Sequence, residues 1–141
     1  MKTGSHHIIV QLISSAFIFL FVYTGVNKLV EQEKFQIALR RSPILQPSSE
    51  WLVYVVPILE LLLALILLRP SFRKWGLLFA ALLMGVFTIY IGWMLLFMEH
   101  LPCSCGGVIS SLSWKQHLLF NLAFLVAGLF GYYLINQNKL T

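Results

Sequence analysis

The fold is decided by residues 51–98, WLVYVVPILELLLALILLRPSFRKWGLLFAALLMGVFTIYIGWMLLFM. Two apolar stretches, 51–68 and 75–98, are separated here by a short basic turn that begins with Arg69 and Pro70. Each stretch is close to or above the ~20 apolar residues that a helix needs to cross a bilayer core. Pro70 favours an end of the first stretch at this point, because proline lacks the N–H that continues a helix. The segment therefore predicts a membrane-spanning helical hairpin.

The rest of the chain has the same character. Of its 141 residues, 59% are hydrophobic and 11% are charged, which excludes an ordinary soluble domain. Two further stretches, about 8–27 and 114–135, are long and apolar enough to span a bilayer. The first is longer than the apolar run of about 7–15 residues in a cleaved signal peptide, so we expect it to stay as a span. We predict an all-α integral membrane four-helix bundle, with a single transmembrane domain over residues 1–141.

Residues 29–41 mix apolar and charged side chains at helical spacing, which predicts a short interfacial amphipathic helix after the first span. Counting charges does not orient the bundle, because each side receives five of the ten basic residues. Arg69, Arg73 and Lys74 crowd one short turn, however, and such turns stay in the cytoplasm. We therefore expect both termini in the cytoplasm and the loop 99–113 outside. The dispersed basic residues make the lipid bilayer, and not nucleic acid, the expected partner.

The two cysteines of the chain, Cys103 and Cys105, lie in the loop sequence PCSCGG at 102–107. A disulfide between cysteines one residue apart departs from relaxed geometry, and strain makes a disulfide easier to reduce. Such a disulfide also closes almost no loop, so it adds little as a structural cross-link. The pattern favours a redox-active pair that exchanges thiols and disulfides with a partner, over two cysteines that only pack.

Copper binding is an alternative interpretation of the same region. Met94 and Met98 lie one helical turn apart, and His100 follows shortly before Cys103 and Cys105. Thioether, thiolate and imidazole groups together suit Cu(I). The chain would then be a copper-handling membrane protein. A third interpretation is a non-catalytic accessory subunit of a membrane complex, in which the cysteines are incidental.

Glu60 lies nine residues into the second span, near the bilayer centre. A carboxyl group at that depth is costly, and such residues usually face the bundle interior and mark function. We expect Glu60 to form a buried polar layer with Asn121 and Thr88. This layer would act either as a proton relay or only as hydrogen bonds that hold the helices together.

Lys28 and His117 are expected on the same side as the cysteines. Lys28 ends the first span, where it either extends outward to the lipid head groups or stabilises a cysteine thiolate. His117 lies in the first turn of the last span, as a base for a cysteine or as an interfacial polar residue. The candidate site therefore consists of the following residues: Cys103, Cys105, Glu60, Lys28, His117 and Asn121.

Taken together, these segments resemble the DoxX-like membrane protein family, and most closely its MauE branch, named for methylamine utilisation. The resemblance rests on YTGVNKL at 23–29, PILE at 57–60, the Cys-x-Cys pair and residues 114–121. It implies a four-helix protein of the bacterial inner membrane that helps disulfides form in a periplasmic partner. The family often carries Cys-Gly-Cys-Phe-Gly, whereas this chain has Cys-Ser-Cys-Gly-Gly, which leaves the partner open.

A single cysteine pair also limits the mechanism. Two pairs cannot relay electrons within this chain, so the next carrier has to be external. A membrane quinone and a thioredoxin-like protein are the two candidate carriers. In that case the chain would be a thiol–disulfide oxidoreductase, with a periplasmic thiol protein or membrane complex subunits as its partner.

Overall fold

The computed structural model describes residues 2–99 and 113–139, and within them the secondary structure is entirely helical. Short 3₁₀ turns, Gln46–Ser48 and Pro70–Phe72, lead into the third and fourth helices. Four helices are long and apolar enough to cross a membrane, which confirms the predicted all-α membrane bundle. The helices are α1 (Lys2–Val30), α2 (Gln32–Arg41), α3 (Ser49–Leu68), α4 (Arg73–Phe97) and α5 (Trp114–Lys139).

The first and last helices extend beyond the apolar stretches that predicted them. α1 begins at Lys2, and α5 continues to Lys139. Hydropathy marks only the part of a helix that contacts lipid, whereas the helix itself continues until its backbone hydrogen bonds stop. Because α1 runs through Val30, the amphipathic helix begins at Gln32 and not at residue 29.

Two helix ends follow directly from local sequence. α3 ends at Leu68, next to Arg69 and Pro70, as the proline predicts. At the start of α5, the Gln116 backbone N–H donates to Ser113 Oγ at 3.2 Å. The Ser113 backbone N–H donates in return to Gln116 Oε1 at 3.0 Å. This reciprocal pair is a capping box, and it fixes where the last span begins.

One end of the bundle is closely packed, and we call it the packed end. It is formed by the first half of α1, the last turns of α3, the first half of α4 and the last half of α5. A Cβ atom added at Gly128 would lie only 3.0 Å from the Ala81 Cβ and 3.1 Å from the Phe17 ring. Gly76 approaches Leu67 as closely, at 2.9 Å. Small residues therefore let the helices meet without voids here.

The opposite end, which we call the loop end, contains the ends of α1 and α4 and the starts of α3 and α5. Segment 100–112 joins α4 to α5 at this end. The amphipathic helix α2 also lies here, with Phe35 and Leu39 packed against Val53 of α3. Its apolar face therefore covers the first half of α3.

The outer surface of the bundle is apolar. Ile89 and Leu96 of α4 are 75% and 80% exposed, and α1 exposes Phe19 to a similar degree. A water-soluble monomer rarely exposes apolar patches of this extent. Contact with lipid acyl chains accounts for this surface, as expected of a multi-pass membrane protein.

Candidate functional site

A buried ion pair links α1 to α3 near the loop end. Lys28 Nζ donates to Glu60 Oε1 at 2.7 Å. The Glu60 side chain is 1% exposed and the Lys28 side chain 16% exposed. Lys28 therefore does not extend to the lipid head groups, and that part of the sequence-based expectation is wrong. Its ammonium group is instead drawn inward by the carboxylate.

A close approach of the two backbones places this pair. A Cβ atom added at Gly25 would lie 3.2 Å from the Pro57 carbonyl oxygen and 3.1 Å from Leu61 Cγ. Lys28 follows Gly25 by one helical turn, and Glu60 follows Pro57 by one turn. Because helical side chains lean toward the N-terminus of their helix, the Lys28 stem runs back toward this crossing.

The remaining surroundings of the pair are polar on one side and aromatic on the other. The Thr24 side chain borders the Glu60 carboxyl group. Its hydroxyl donates to the Leu20 carbonyl oxygen of its own helix at 2.9 Å. The Lys28 ammonium group lies 5.8 Å from the Phe35 ring centre and 5.7 Å from that of Phe87, close enough for cation–π attraction.

A cavity of about 520 Å³ lies beside the pair, within the usual range for small-molecule sites. Side chains of α1, α2, α4 and α5, together with Leu52 and Val56 of α3, form its walls. Its lining is mostly apolar and aromatic, and its polar groups include Thr24, Asn27 and Lys28. The ion pair therefore faces an open space through Lys28.

Asn121 and His117, both on α5, also line this cavity. Asn121 is 3% exposed, and its Nδ2 has no hydrogen-bond partner among the described residues. His117 Nδ1 likewise has none within residues 2–99 and 113–139. The His117 ring stacks on Trp114, with 5.8 Å between ring centres. Two predicted site residues thus line the same cavity as Lys28, and each carries a buried polar atom without a partner among the described residues.

The expected polar layer of Glu60, Asn121 and Thr88 forms only in part. Glu60 pairs with Lys28, and its Oε2 has no hydrogen-bond partner among the described residues. Thr88 donates its hydroxyl to the Met84 carbonyl oxygen one turn earlier, at 2.6 Å. That bond uses the Thr88 proton within α4, and the place of Thr88 in the layer stays a prediction.

The cysteines, Cys103 and Cys105, lie outside the described residues, as does His100. The described chain stops at Glu99 and resumes at Ser113, on either side of the segment that carries them. Trp93 of α4 and Trp114 of α5, which flank that segment, line the cavity. The two helices that are joined by the cysteine-bearing segment therefore both contribute to the cavity wall.

The copper alternative depends mostly on residues outside the described ranges. Met94 is buried at 1% exposure, and Met98 follows the last turn of α4 half-buried. No group of three or more His, Cys, Asp or Glu residues that could hold a metal ion occurs within the described ranges. Copper binding at these methionines, His100 and the cysteines stays a prediction.

Sequence reasoning missed two features of this site. The close approach at Gly25 was not predicted, although a small residue one turn before Lys28 is a signal for a helix crossing. Phe87 was also missed, because nothing in the sequence separates it from the lipid-facing aromatic residues of α4. Phe87 is identified as a site residue only by the structure, in which its ring centre lies 5.7 Å from Lys28 Nζ.

The chain matches the model of a known protein family. The family model described as methylamine utilisation protein MauE matches residues 6–134. The matched region includes the second and third spans, nearly all of the first and last spans, Lys28, Glu60 and the Cys-x-Cys segment. No curated protein matches the chain significantly. No solved structure does so either. Because the match covers nearly the whole sequence, the chain belongs to the MauE family of membrane proteins.

Proposed function

We propose that this chain is a membrane redox protein that forms disulfides in an extracytoplasmic partner through Cys103 and Cys105. One observation carries the proposal. The helices that flank the cysteine-bearing segment also wall a cavity that holds a buried ion pair and unpartnered polar atoms. Buried ionisable groups inside a membrane protein are costly and usually functional. The family description, methylamine utilisation, makes a protein of that metabolism the first candidate partner.

In the proposed reaction, a thiolate of the partner attacks one sulfur of the Cys103–Cys105 disulfide. The disulfide bond breaks, and a mixed disulfide forms between the partner and the chain. A second thiolate of the partner then releases the chain and completes the partner's own disulfide. The partner loses two electrons and two protons, which the cysteine pair holds as two thiols. An external carrier, a quinone or a thioredoxin-like protein, reoxidises the pair.

The placement of this chemistry follows from charge and compartment. The turn between α3 and α4 contains Arg69, Arg73 and Lys74, and short basic turns stay in the cytoplasm. The loop end then faces the outside, in the bacterial inner membrane. That side is the oxidising compartment, in which disulfides form and persist.

Glu60 and Lys28 are proposed to handle protons beneath the cysteine segment. Reoxidation of two thiols releases two protons, and Lys28 is the lining side chain that connects the cavity to the Glu60 carboxyl group. Glu60→Gln keeps the shape of the side chain and removes its titration. Glu60→Gln also leaves the Lys28 charge without its counter-charge, so turnover is measured per folded molecule. We expect slower turnover of the folded variant, whereas full turnover would leave only a structural role for the pair.

Trapping the mixed disulfide tests the exchange reaction. In Cys105→Ser and in Cys103→Ser one thiol remains, and its thiolate can attack the disulfide of the oxidised partner, which is the reverse of the proposed reaction. The partner's disulfide breaks and a mixed disulfide forms, which the missing second cysteine can no longer resolve. We expect one of the two variants to show a larger species that reductant removes, and the Cys103→Ser/Cys105→Ser control to show none. Absence of such a species from both single variants contradicts the proposed reaction.

Growth on methylamine separates this function from the accessory-subunit interpretation. In a methylamine-utilising host that depends on this chain, the Cys103→Ser/Cys105→Ser variant should fail to grow on methylamine. An accessory subunit with incidental cysteines would support growth like its parent.

Copper analysis of protein purified under reducing conditions tests the copper-handling alternative. Stoichiometric copper that is lost in Met94→Leu/Met98→Leu would replace thiol exchange with copper handling.

A further inference from the structure

The cavity at the loop end has the size and lining of a binding site for a small organic head group. Its volume of about 520 Å³ suits one ring with a short apolar extension. Aromatic side chains from different helices line it, among them Phe35, Phe87 and Trp114. A flat, conjugated ligand can stack on such side chains.

The cavity reaches the lipid-facing surface of the bundle. Val86 and Ile89 of α4 line it, yet these side chains are 61% and 75% exposed. Ile44, before α3, is also both a lining residue and an exposed one. Since the surroundings of α4 are lipid, a ligand dissolved in the bilayer can enter here without crossing water.

The polar atoms inside favour a neutral hydrogen-bond acceptor. Asn121 Nδ2 is a buried donor with no partner among the described residues, and such a donor costs free energy until an acceptor reaches it. Among the described lining residues, Lys28 is the only side chain with a fixed charge, and Glu60 already compensates it. Within residues 2–99 and 113–139, no uncompensated lysine or arginine of the lining therefore calls for an anionic head group.

We infer that this cavity binds the head group of a bilayer-soluble quinone. A quinone carbonyl oxygen accepts from Asn121 Nδ2, the ring stacks on the aromatic side chains, and the tail leaves past Val86 and Ile89. The His117 side chain lines the same cavity, and its Nδ1 has no hydrogen-bond partner among the described residues. The site consists of described residues alone.

The redox role of this ligand rests on the proposed function. Two cysteine thiols give up two electrons and two protons and form one S–S bond. The quinone takes up the two electrons and the two protons and becomes a quinol, so the reaction balances without another oxidant. The quinone would thereby be the external carrier that reoxidises the cysteine pair.

Quenching of tryptophan fluorescence measures the binding, because Trp93 and Trp114 line the cavity. Purified full-length protein is titrated with decylubiquinone, and we expect saturable quenching. Asn121→Leu should weaken binding about tenfold, the effect of one lost hydrogen bond to a buried ligand. Asn136→Leu is the matched control, since Asn136 lies on the same helix and contacts Lys74 at the packed end. It should leave the affinity unchanged.

A second readout separates ligand binding from folding. If the Asn121 amide serves a ligand, Asn121→Leu without quinone should be at least as stable as the parent, because a buried unpaired donor is removed. Should Asn121→Leu not fold, Val86→Phe narrows the lipid-exposed entrance and should reduce quinone affinity instead. Val86 contacts lipid, so this change spares the core.

Failure of the quinone site can be distinguished from failure of the proposed thiol–disulfide exchange. The Cys103→Ser/Cys105→Ser variant should bind decylubiquinone like the parent, although it cannot exchange disulfides. Non-saturable quenching, or equal affinity in the parent, Asn121→Leu and Val86→Phe, overturns the quinone site. Saturable, Asn121-dependent binding of oleate in place of the quinone overturns it too. A trapped mixed disulfide would in those cases still support thiol exchange.

Discussion

At the packed end, Gly128 brings α5 against Ala81 of α4, and the Phe17 ring fills the space between them. At the loop end, the same two helices and α1 instead border a cavity of about 520 Å³ that contains Lys28, Asn121 and His117. The four membrane-spanning helices are therefore closely packed at one end and border a cavity at the other. Small residues allow the close packing, and the Lys28–Glu60 ion pair links α1 to α3 beside the cavity.

The difference is also visible in the glycines of α4 and α5. A Cβ atom at Gly128 would meet Ala81 at 3.0 Å, whereas a Cβ atom at Gly92, near the loop end of α4, would meet nothing within 4 Å. Within α4 and α5, glycine is thus a packing requirement at Gly128 and not at Gly92, whereas Gly25 of α1 is a close contact with α3 near the loop end.

The largest effect is expected from separating the ion pair of the loop end. Lys28→Met leaves the Glu60 carboxylate buried without its partner, which typically costs about 3–5 kcal/mol. The double variant Lys28→Met/Glu60→Met removes both charges and should recover most of that stability. Unfolding by a denaturing detergent, measured for the parent, both single variants and the double variant, gives the coupling energy.

A Lys28→Met variant as stable as the parent would show that the pair does not hold α1 to α3. The Lys74→Met variant is the control. Lys74 bonds the exposed Asn136 at 2.8 Å, and exposed polar contacts contribute at most about 1 kcal/mol.

An intermediate effect is expected from adding one methyl group at the packed end. Gly128→Ala should destabilise the bundle by about 1–3 kcal/mol, because Ala81 and Phe17 leave no room for the methyl group. Gly92→Ala should be neutral or stabilising by up to about 1 kcal/mol, since alanine favours helix and the space is empty. Thermal unfolding in the same detergent compares the two, and equal effects would contradict the contrast between the ends.

The smallest effect concerns the helix cap at the start of α5. Ser113→Ala removes the hydroxyl that accepts from the Gln116 N–H, and lost caps cost about 1 kcal/mol. Ser48 precedes α3 but makes no side-chain capping hydrogen bond, so Ser48→Ala should change little. Hydrogen exchange in the first turns of α3 and α5 reports both changes locally. A larger increase in exchange at α3 in Ser48→Ala than at α5 in Ser113→Ala would contradict the assignment of the side-chain cap to Ser113.

Local sequence predicted most of the helices of this protein. Apolar length identified the four spans, Pro70 the end of α3, and the spacing of Ser113 and Gln116 the start of α5. These sequence features predict helix bounds because each depends only on residues of one helix and on the lipid or water around it. The true ends of α1 and α5 were missed, since hydropathy does not report where a polar helix extension stops.

The sequence predicted which residues of the site are buried, but it did not predict that Lys28 pairs with Glu60. Glu60 and Asn121 were expected to be buried, because polar groups deep in an apolar span face inward. That Lys28 turns inward to Glu60 depends on which face of α3 lies opposite α1, and the crossing at Gly25 and Pro57 sets that. Thr88 had an alternative partner within its own helix that depth alone does not reveal.

Labelling from outside tests whether the loop end is the redox-active, extracytoplasmic end. Intact spheroplasts are treated with a membrane-impermeant maleimide, with and without prior reduction. We predict that Cys103 and Cys105 are labelled only after reduction. Ser71→Cys, placed in the basic turn of the packed end in a Cys103→Ser/Cys105→Ser background, should stay unlabelled until the membrane is opened. Labelling of Ser71→Cys in closed spheroplasts, with Cys103 and Cys105 protected, would contradict the account.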